Sequence, residues 1–454
     1  MGEPLEKKDE LIRYFEAGAK PHAQWRVGTE YEKVLVRAED GRARPFSGPG
    51  GVEELLRRMA ERYGYQRDEE HGRLLGLHGA GGPITLEPGG QLELSGAQFK
   101  TIHEAHREFT AHAEQLIETG AQIGAVVLGL GMQPLSRIEE IELLPKARYH
   151  IMYPYMARKG KLGQRMMKQT AGVQANLDYS DEADAMHKLR VSMGIVPILY
   201  AIFANSPFSD GGLNGFQSFR GHIWTDTDPD RSGMLEFVFR ENCSFEDYAE
   251  YALGVPMYFL IRNHEYIDLT RAPGITFREF MQRGFRNERA TLEDWAAHLT
   301  TIFTEVRLKQ YLEVRTADSQ PPSFMLALPA LLKGVLYNGD CLGAAWDLVK
   351  RWSFAERMQI AGGANRAGLE ARAGKIQLKE LADELLSIAA TGLKREGALN
   401  NRGEDETIYL SELIDLIRGG NTQASLAIQR WKSAWNYDLG RLVKETAYAS
   451  SAST

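Results

Sequence analysis

Cysteine is almost missing from this chain. Cys243 and Cys341 are the only two in 454 residues and lie far apart in sequence. That excludes a disulfide framework and a cysteine-rich zinc site, and leaves two buried thiols as the reading. A basic excess is missing too. The 54 lysines and arginines face 61 acids for a formal net charge of -7, with both signs interspersed, so a nucleic-acid surface is not the main business of the protein. Long apolar runs are absent, since the longest, residues 193–204, is too short to span a bilayer. The first twenty residues carry charges on an amphipathic helical pattern in place of a signal-peptide core, which makes a cytoplasmic location the expectation. No repeat stands out, and only the small polar end, residues 447–454, is expected to fray.

Nucleotide-binding glycine signatures are also wanting. There is no Walker-type loop, and Gly129-Leu-Gly131 lacks a third glycine and runs into Pro134. His103-Glu-Ala-His106 spaces its histidines three apart where a zinc-protease helix needs four, and it reads as a solvated helix. Ser206-Pro-Phe lacks the glycine frame of a hydrolase elbow. Any use of ATP must then rely on metals and a sheet.

What is present is a set of polar strand faces. In residues 25–36 the period-two pattern puts Trp25, Val27, Tyr31 and Leu35 on one face and Arg26, Gly28, Glu30 and Glu32 on the other. Residues 84–95 read as two short strands around Pro88-Gly89-Gly90, with Gln91 and Glu93 opposite Leu92 and Leu94. Residues 170–179 alternate almost without fault, placing Gln174 and Asn176 on the polar side. In residues 311–316, Glu313 and Arg315 share a face with Leu312 and Val314 behind them. Carboxylates on rigid strands suit magnesium, which wants hard oxygen ligands and bridges substrate phosphates. Each strand alone could be an ordinary element with a solvated face; four such faces in one chain favour a shared acidic patch. Residues 216–233 read as a turn-rich loop carrying Arg220, His222, Trp224, Thr225, Asp226, Asp228 and Arg231. The guanidinium groups of Arg220 and Arg231 offer a planar fork for carboxylate or phosphate. Ser244, Thr276 and Thr291 each begin a capping-box pattern. After about residue 324 the pattern is almost entirely helical.

Five motifs in order, Gly28-Thr-Glu-Tyr-Glu-Lys33, Leu86-Glu-Pro-Gly-Gly-Gln-Leu-Glu-Leu-Ser-Gly96, Thr170-Ala-Gly-Val-Gln-Ala-Asn-Leu-Asp178, Trp224-Thr-Asp-Thr-Asp-Pro-Asp-Arg231 and Tyr311-Leu-Glu-Val-Arg-Thr-Ala-Asp318, resemble the plant-type glutamate-cysteine ligases shared with many proteobacteria. The resemblance implies an α+β fold, a glutamine-synthetase-like curved antiparallel sheet forming a funnel surrounded by helices. It implies one catalytic domain over residues 1–454, with a sheet-based core at about 22–323 and a helical C-terminal wrap at about 324–446. It implies ATP-dependent ligation of glutamate, through its γ-carboxyl and a γ-glutamyl phosphate, to cysteine, the first step of glutathione biosynthesis. By the same resemblance Glu30, Glu32, Glu87, Glu93 and Glu313 are magnesium ligands, with Gln174 in the same shell. Arg315 reaches the ATP phosphates, Arg220 holds the glutamate α-carboxylate with help from Tyr258, and Trp224 and Thr225 line the substrate pocket. The expected partners are small molecules, without nucleic acid or membrane, and the assembly a monomer or weak homodimer. A lid over residues 160–163 or 205–215 is expected to exclude water. The plant family's regulatory cysteine pair has no counterpart around residues 266–286, so its redox switch is not expected. Two alternatives stand beside this reading: a ligase of the same fold using another amine or thiol, for instance toward ergothioneine, and a catalytically silent nucleotide-binding homologue.

Overall fold

The structure is a computed structural model, described here for residues 3–79, 81–271 and 274–449. Its centre is a nine-stranded antiparallel sheet. The strands are β1 (Val27–Arg37), β2 (Gln66–Glu70), β3 (Arg73–Gly79), β4 (Gly82–Leu86), β5 (Leu92–Ser95), β6 (Ala125–Leu128), β7 (Gly172–Leu177), β8 (Val306–Leu308) and β9 (Leu312–Asp318). They run in the order β8-β9-β7-β1-β5-β4-β3-β2, with β6 pairing the far end of β1. The long central strand β1 thus has β5 on one side and β7 on the other.

Period-two alternation decides which way each side chain points. Val27, Tyr31 and Leu35 of β1, Leu92 and Leu94 of β5, Val173, Ala175 and Leu177 of β7 and Leu312 and Val314 of β9 are all at most 6% exposed and join one core. Helices cover that face. Ile102–Gln122 places Phe109 against the Tyr31 ring, with centroids 4.9 Å apart, and helices Glu182–Ile202 and Ala327–Leu336 pack on β9 and β7. The opposite face carries the polar side chains. It is not the solvated face of an ordinary antiparallel sheet, because Glu93, Gln174 and Glu313 are each under 10% exposed.

All three capping boxes form: Ser244, Thr276 and Thr291 each accept from the third residue of the following helix. After residue 324 the described chain is mostly helical, its helices joined by loops and by a small ribbon of Arg372–Ala373 and Ile376–Gln377. A buried ion pair ties this part to the core. Lys333 Nζ lies 2.7 Å from Glu406 Oε2, and Glu406 Oε1 accepts from the backbone N–H of Ile102 at 2.6 Å.

Three sequence expectations change. Residues 216–233 do not form a simple loop, because Ser218 caps a short helix, Phe219–Trp224, by accepting from the Gly221 N–H. His103 is not on a solvated face; it is 4% exposed, with Nδ1 2.9 Å from the Tyr409 hydroxyl. The chain end is not frayed up to residue 448, since Tyr448 is buried and its N–H donates to Val127 O at 2.8 Å. Residues 450–454 lie outside the described residues.

Candidate active site

The strand register brings the acidic faces together. Glu32 of β1 stands directly opposite Glu93 of β5, and Glu30 opposite Gln174 of β7. One strand further, Glu313 of β9 faces Asn176 of β7. Adjacent strands are about 4.8 Å apart, so all four carboxylates project from one side of four neighbouring strands. Glu87 sits in the turn between β4 and β5, where its N–H donates to Gln91 O at 2.8 Å.

Each carboxylate has a distinct environment. Glu32 accepts from the Gly172 N–H at 2.5 Å and from Gln174 Nε2 at 3.2 Å. Glu30 accepts from Asn176 Nδ2 at 2.9 Å and Glu93 from Ser95 Oγ at 2.6 Å. None of these three has an ion-pair partner among the described residues. Burial raises Glu30 to about 7, with Glu313 and Glu93 adding repulsion. Burial likewise raises Glu32 to about 8 and Glu93 to about 7, Glu87 adding repulsion to both, while Arg220 opposes the rise at Glu32. These three carboxyls are held toward the neutral form first by desolvation and then by neighbouring acids, with Arg220 and Arg315 opposing at Glu32. Glu313 is the opposite case. Burial disfavours its ionised form, but Arg307, Lys309 and Arg315 outweigh it and hold the carboxyl well below the usual range. Arg307 binds both Glu313 oxygens, Lys309 Nζ lies 3.0 Å from Oε2, and Arg315 pairs with Oε1.

Arg315 also donates through Nη1 to Gln174 Oε1 at 2.5 Å, joining the cationic and acidic halves. Arg220 approaches from the short helix Phe219–Trp224 and is 2% exposed. Its Nη1 donates to Thr316 O at 3.1 Å and its Nη2 to Arg315 O at 3.0 Å, while Nε has no partner. Gly172 permits this approach, since a Cβ there would lie 2.5 Å from Arg220 Nη2. Asp318 anchors the segment that delivers Arg220, accepting from Ser206 Oγ at 2.7 Å, Ser218 Oγ at 3.0 Å and the Asn205 N–H at 2.8 Å. The root of the 205–215 segment is therefore pinned.

The remaining residues singled out from sequence are placed less uniformly. Trp224 is half-buried with its ring 6.0 Å from Phe303, over which the Arg315 guanidinium lies at 5.8 Å. Thr225 is exposed and donates to His222 O at 2.7 Å. Tyr258 does not stand beside Arg220; its ring packs 3.8 Å from the Arg231 guanidinium and its hydroxyl faces Met156 Sδ. Arg231 is wholly buried and occupied by Asp228 at 2.7 Å and Pro256 O at 2.6 Å, which makes it a strut and not a ligand fork. Arg307 and Lys309 were not singled out from sequence, although Val306-Arg-Leu308 carries the same alternation that marks the other strands. A cleft of about 230 Å³ opens at Glu30, lined by Arg26, Gly28, Ser95, Asn176 and Tyr311 among others. Among the described residues no three histidine, cysteine or acidic side chains are gathered as a ready metal cage, and no helix is long and apolar enough to cross a membrane.

Residues 26–445 match the model of glutamate-cysteine ligase family 2. The chain is 41% identical over 449 residues to a chloroplastic glutamate-cysteine ligase of Brassica juncea, covering 98% of this chain and 85% of that protein. It is 42% identical to the chloroplastic enzyme of Medicago truncatula, covering 98% and 86%. Among solved structures, the fold is similar to that of a glutamate-cysteine ligase from Francisella tularensis crystallised with AMP, with a TM-score of 0.56, 15% identity and coverage of 93% of this chain and 88% of that one. The cytoplasmic expectation is withdrawn, because these plant relatives are named chloroplastic.

Proposed function

The chain belongs to the glutamate-cysteine ligase family and makes γ-glutamylcysteine for glutathione biosynthesis, and on that premise we propose that the polar face of the sheet is where ATP, magnesium and glutamate meet. The observation that carries this reading is the group of Glu30, Glu32 and Glu93, three carboxyls from neighbouring strands gathered on one sheet face and raised together, none with an ion-pair partner among the described residues. Their hard oxygens fit magnesium, which keeps several waters and needs only one or two protein carboxylates beside substrate phosphates. The ligase relative whose crystals contain AMP supports nucleotide use on this fold.

Glu30, Glu32 and Glu93 would hold the metal, with Glu87 close by and Gln174 orienting Glu32 and Arg315. Bound magnesium would supply charge neutralisation for the transferring phosphoryl group. Glu313 fixes the fan of Arg307, Lys309 and Arg315, and it would join the metal set if bound phosphate drew those cations away. Arg315 would meet the phosphates. Arg220, with Nε free and both Nη anchored to β9, presents a fixed guanidinium for the glutamate α-carboxylate. Trp224 and Thr225 would border the substrate pocket, while Tyr258 supports it from beneath through Arg231. In the first step the glutamate γ-carboxylate takes the γ-phosphoryl group of ATP, giving γ-glutamyl phosphate and ADP. The cysteine amine then attacks the acyl carbon, phosphate leaves, and the amine proton is released. Water must be kept from the acyl phosphate meanwhile.

The test is ADP release with glutamate fixed and the amine varied. Cysteine should drive release above other small amino acids, and Glu93→Gln should lower turnover by about 100-fold or more while weakening the magnesium dependence of nucleotide binding. Normal turnover in Glu93→Gln removes that residue from the metal set.

A further inference from the structure

Arg220 is held by carbonyls instead of carboxylates, and those carbonyls belong to an irregular point of the sheet. Val314 of β9 faces Ala175 of β7 while Ala317 faces Val173, so three steps on β9 match two on β7 and a bulge falls at Arg315 and Thr316. A bulge lifts a residue out of the regular ladder and serves beside active sites to re-aim a group. Here the Thr316 and Arg315 carbonyls accept from Arg220 Nη1 and Nη2 at 3.1 and 3.0 Å. The direction of the guanidinium therefore depends on what holds the bulge.

Glu305, which immediately precedes β8, holds it at both residues. Its carbonyl accepts from the Arg315 N–H at 3.0 Å, and its Oε2 accepts from Thr316 Oγ1 at 3.2 Å. Its Oε1 accepts from the Tyr200 hydroxyl at 2.5 Å. Tyr200 in turn lies against the helix that carries Arg220, because a Cβ on Gly221 would stand 2.6 Å from Tyr200 Cε1. One buried carboxyl thus reaches the carbonyl cradle of Arg220 and, through Tyr200, the helix that delivers it. Burial disfavours its ionised form, whereas the Tyr200 hydroxyl and the Arg220 charge favour it. The arrangement sets Arg220 without occupying it. A carboxylate bonded directly to the guanidinium would compete with substrate for the same fork, but Glu305 commits both oxygens to hydroxyls.

We propose, resting on the reading that Arg220 holds the glutamate α-carboxylate, that Glu305 is a positioning residue for glutamate binding: it fixes the bulge at Arg315 and Thr316, and with it the direction of the Arg220 guanidinium, without touching substrate.

The Thr316 hydroxyl separates this role from folding, since Thr316→Val keeps the side-chain shape and removes the hydrogen bond to Glu305, and Thr316→Ser restores it. Steady-state ADP release by the full chain, with glutamate and ATP varied in turn, is the readout. Thr316→Val should raise the KM for glutamate by about tenfold, the worth of one hydrogen bond to a charged group. Its kcat and KM for ATP should stay close to those of the parent chain, the signature of lost binding and not of lost chemistry. Thr316→Ser should return the glutamate KM to the parent value, and Glu305→Gln should act as Thr316→Val does. A general folding defect would lower kcat through the active fraction and leave the glutamate KM alone. Arg220→Lys in the same assay reports on the premise. A parent-like glutamate KM in either Thr316→Val or Glu305→Gln, beside a raised one in Arg220→Lys, overturns the role of Glu305 and leaves that of Arg220 standing. A parent-like glutamate KM in Arg220→Lys removes the premise and the proposal with it. An equal rise in both KM values, or no recovery in Thr316→Ser, also overturns the proposal.

Discussion

Gly172→Ala tests the geometry proposed for glutamate binding without touching a charged residue. The added Cβ would stand 2.5 Å from Arg220 Nη2, 2.8 Å from its Cζ and 3.0 Å from Ala317 O. Ordinary contact begins at 3.4 Å, so the guanidinium must retreat by about 1 Å, and a displacement of that size at a positioning group can cost about 100-fold in rate. Arg220 cannot yield cheaply, because it is buried and both Nη groups are bonded to the β9 backbone. Overpacking of this kind costs about 1–3 kcal/mol of stability, which the chain should survive. The expected result is a fall of about 100-fold in kcat/KM for glutamate, equivalent to about 2.7 kcal/mol, with the KM for ATP little changed. Steady-state ADP release with each substrate varied reads this directly. Arg220→Lys should show the same substrate selectivity, since an ammonium keeps the charge and loses the fork. Normal glutamate kinetics in Gly172→Ala, or an equal rise in both KM values, would refute the assignment of Arg220 to the glutamate carboxylate.

Glu313→Gln should damage the fold as well as the activity, because it strands Arg307, Lys309 and Arg315 around a neutral amide. Breaking a buried ion network costs about 3–5 kcal/mol, and a parent-like denaturation midpoint would contradict the account. Glu406→Ala should cost a similar amount by leaving Lys333 buried and unpaired, yet leave both KM values unchanged in protein that remains folded; a shifted KM for ATP would show that the C-terminal helices act on the site. For the metal-free protein the pH response has a definite sign. Glu30, Glu32 and Glu93 rise from 4.5 toward 7 or 8 on folding, so the folded chain binds more protons than the unfolded one in that window and stability falls as pH rises through it. Magnesium with nucleotide should reverse the trend, giving a larger gain in melting temperature at about pH 8.5 than at about pH 5.5, and a smaller one in Glu32→Gln. A melting temperature independent of pH across that range would contradict the shared-charge reading.

The sheet is legible in the sequence because its alternation is strict where it matters. Gly172 to Leu177 separates apolar from polar positions cleanly, and Val27 to Arg37 does so at Val27, Tyr31 and Leu35 against Glu30 and Glu32, so the register follows from keeping that apolar set on one face. The helices after residue 324 are legible for the same reason in a different period. The helix at Phe219–Trp224 is not, because its start depends on one serine cap and its residues, Phe-Arg-Gly-His-Ile-Trp, have little helical preference. Packing decides it: Ser206 Oγ accepts from the Arg220 N–H at 3.0 Å, and a Cβ on Gly221 would lie 2.2 Å from Asn365 Oδ1, so a distant part of the chain sets the turn.

The site divides along the same line. Carboxylates on strand faces can be found by counting residues, since direction is a local property of the backbone. The hydrogen bonds that join one strand face to the next cannot, since they depend on strands brought together across more than a hundred residues, as Arg315 meets Gln174 and Glu32 meets the Gly172 N–H. Glu313 reads from sequence as one more metal carboxylate, equivalent to Glu30 and Glu93, although its cationic partners lie within six residues of it in the β8–β9 hairpin. In the fold it is the only one of the set already neutralised, by Arg307, Lys309 and Arg315. The asymmetry has a functional sense. A sheet face that carries uncompensated carboxylates on one side and a carboxylate saturated with cations on the other is polarised across β1, β7 and β9. A magnesium nucleotide bound as proposed would turn its metal toward the uncompensated carboxylates and its free phosphate oxygens toward the cations around Glu313.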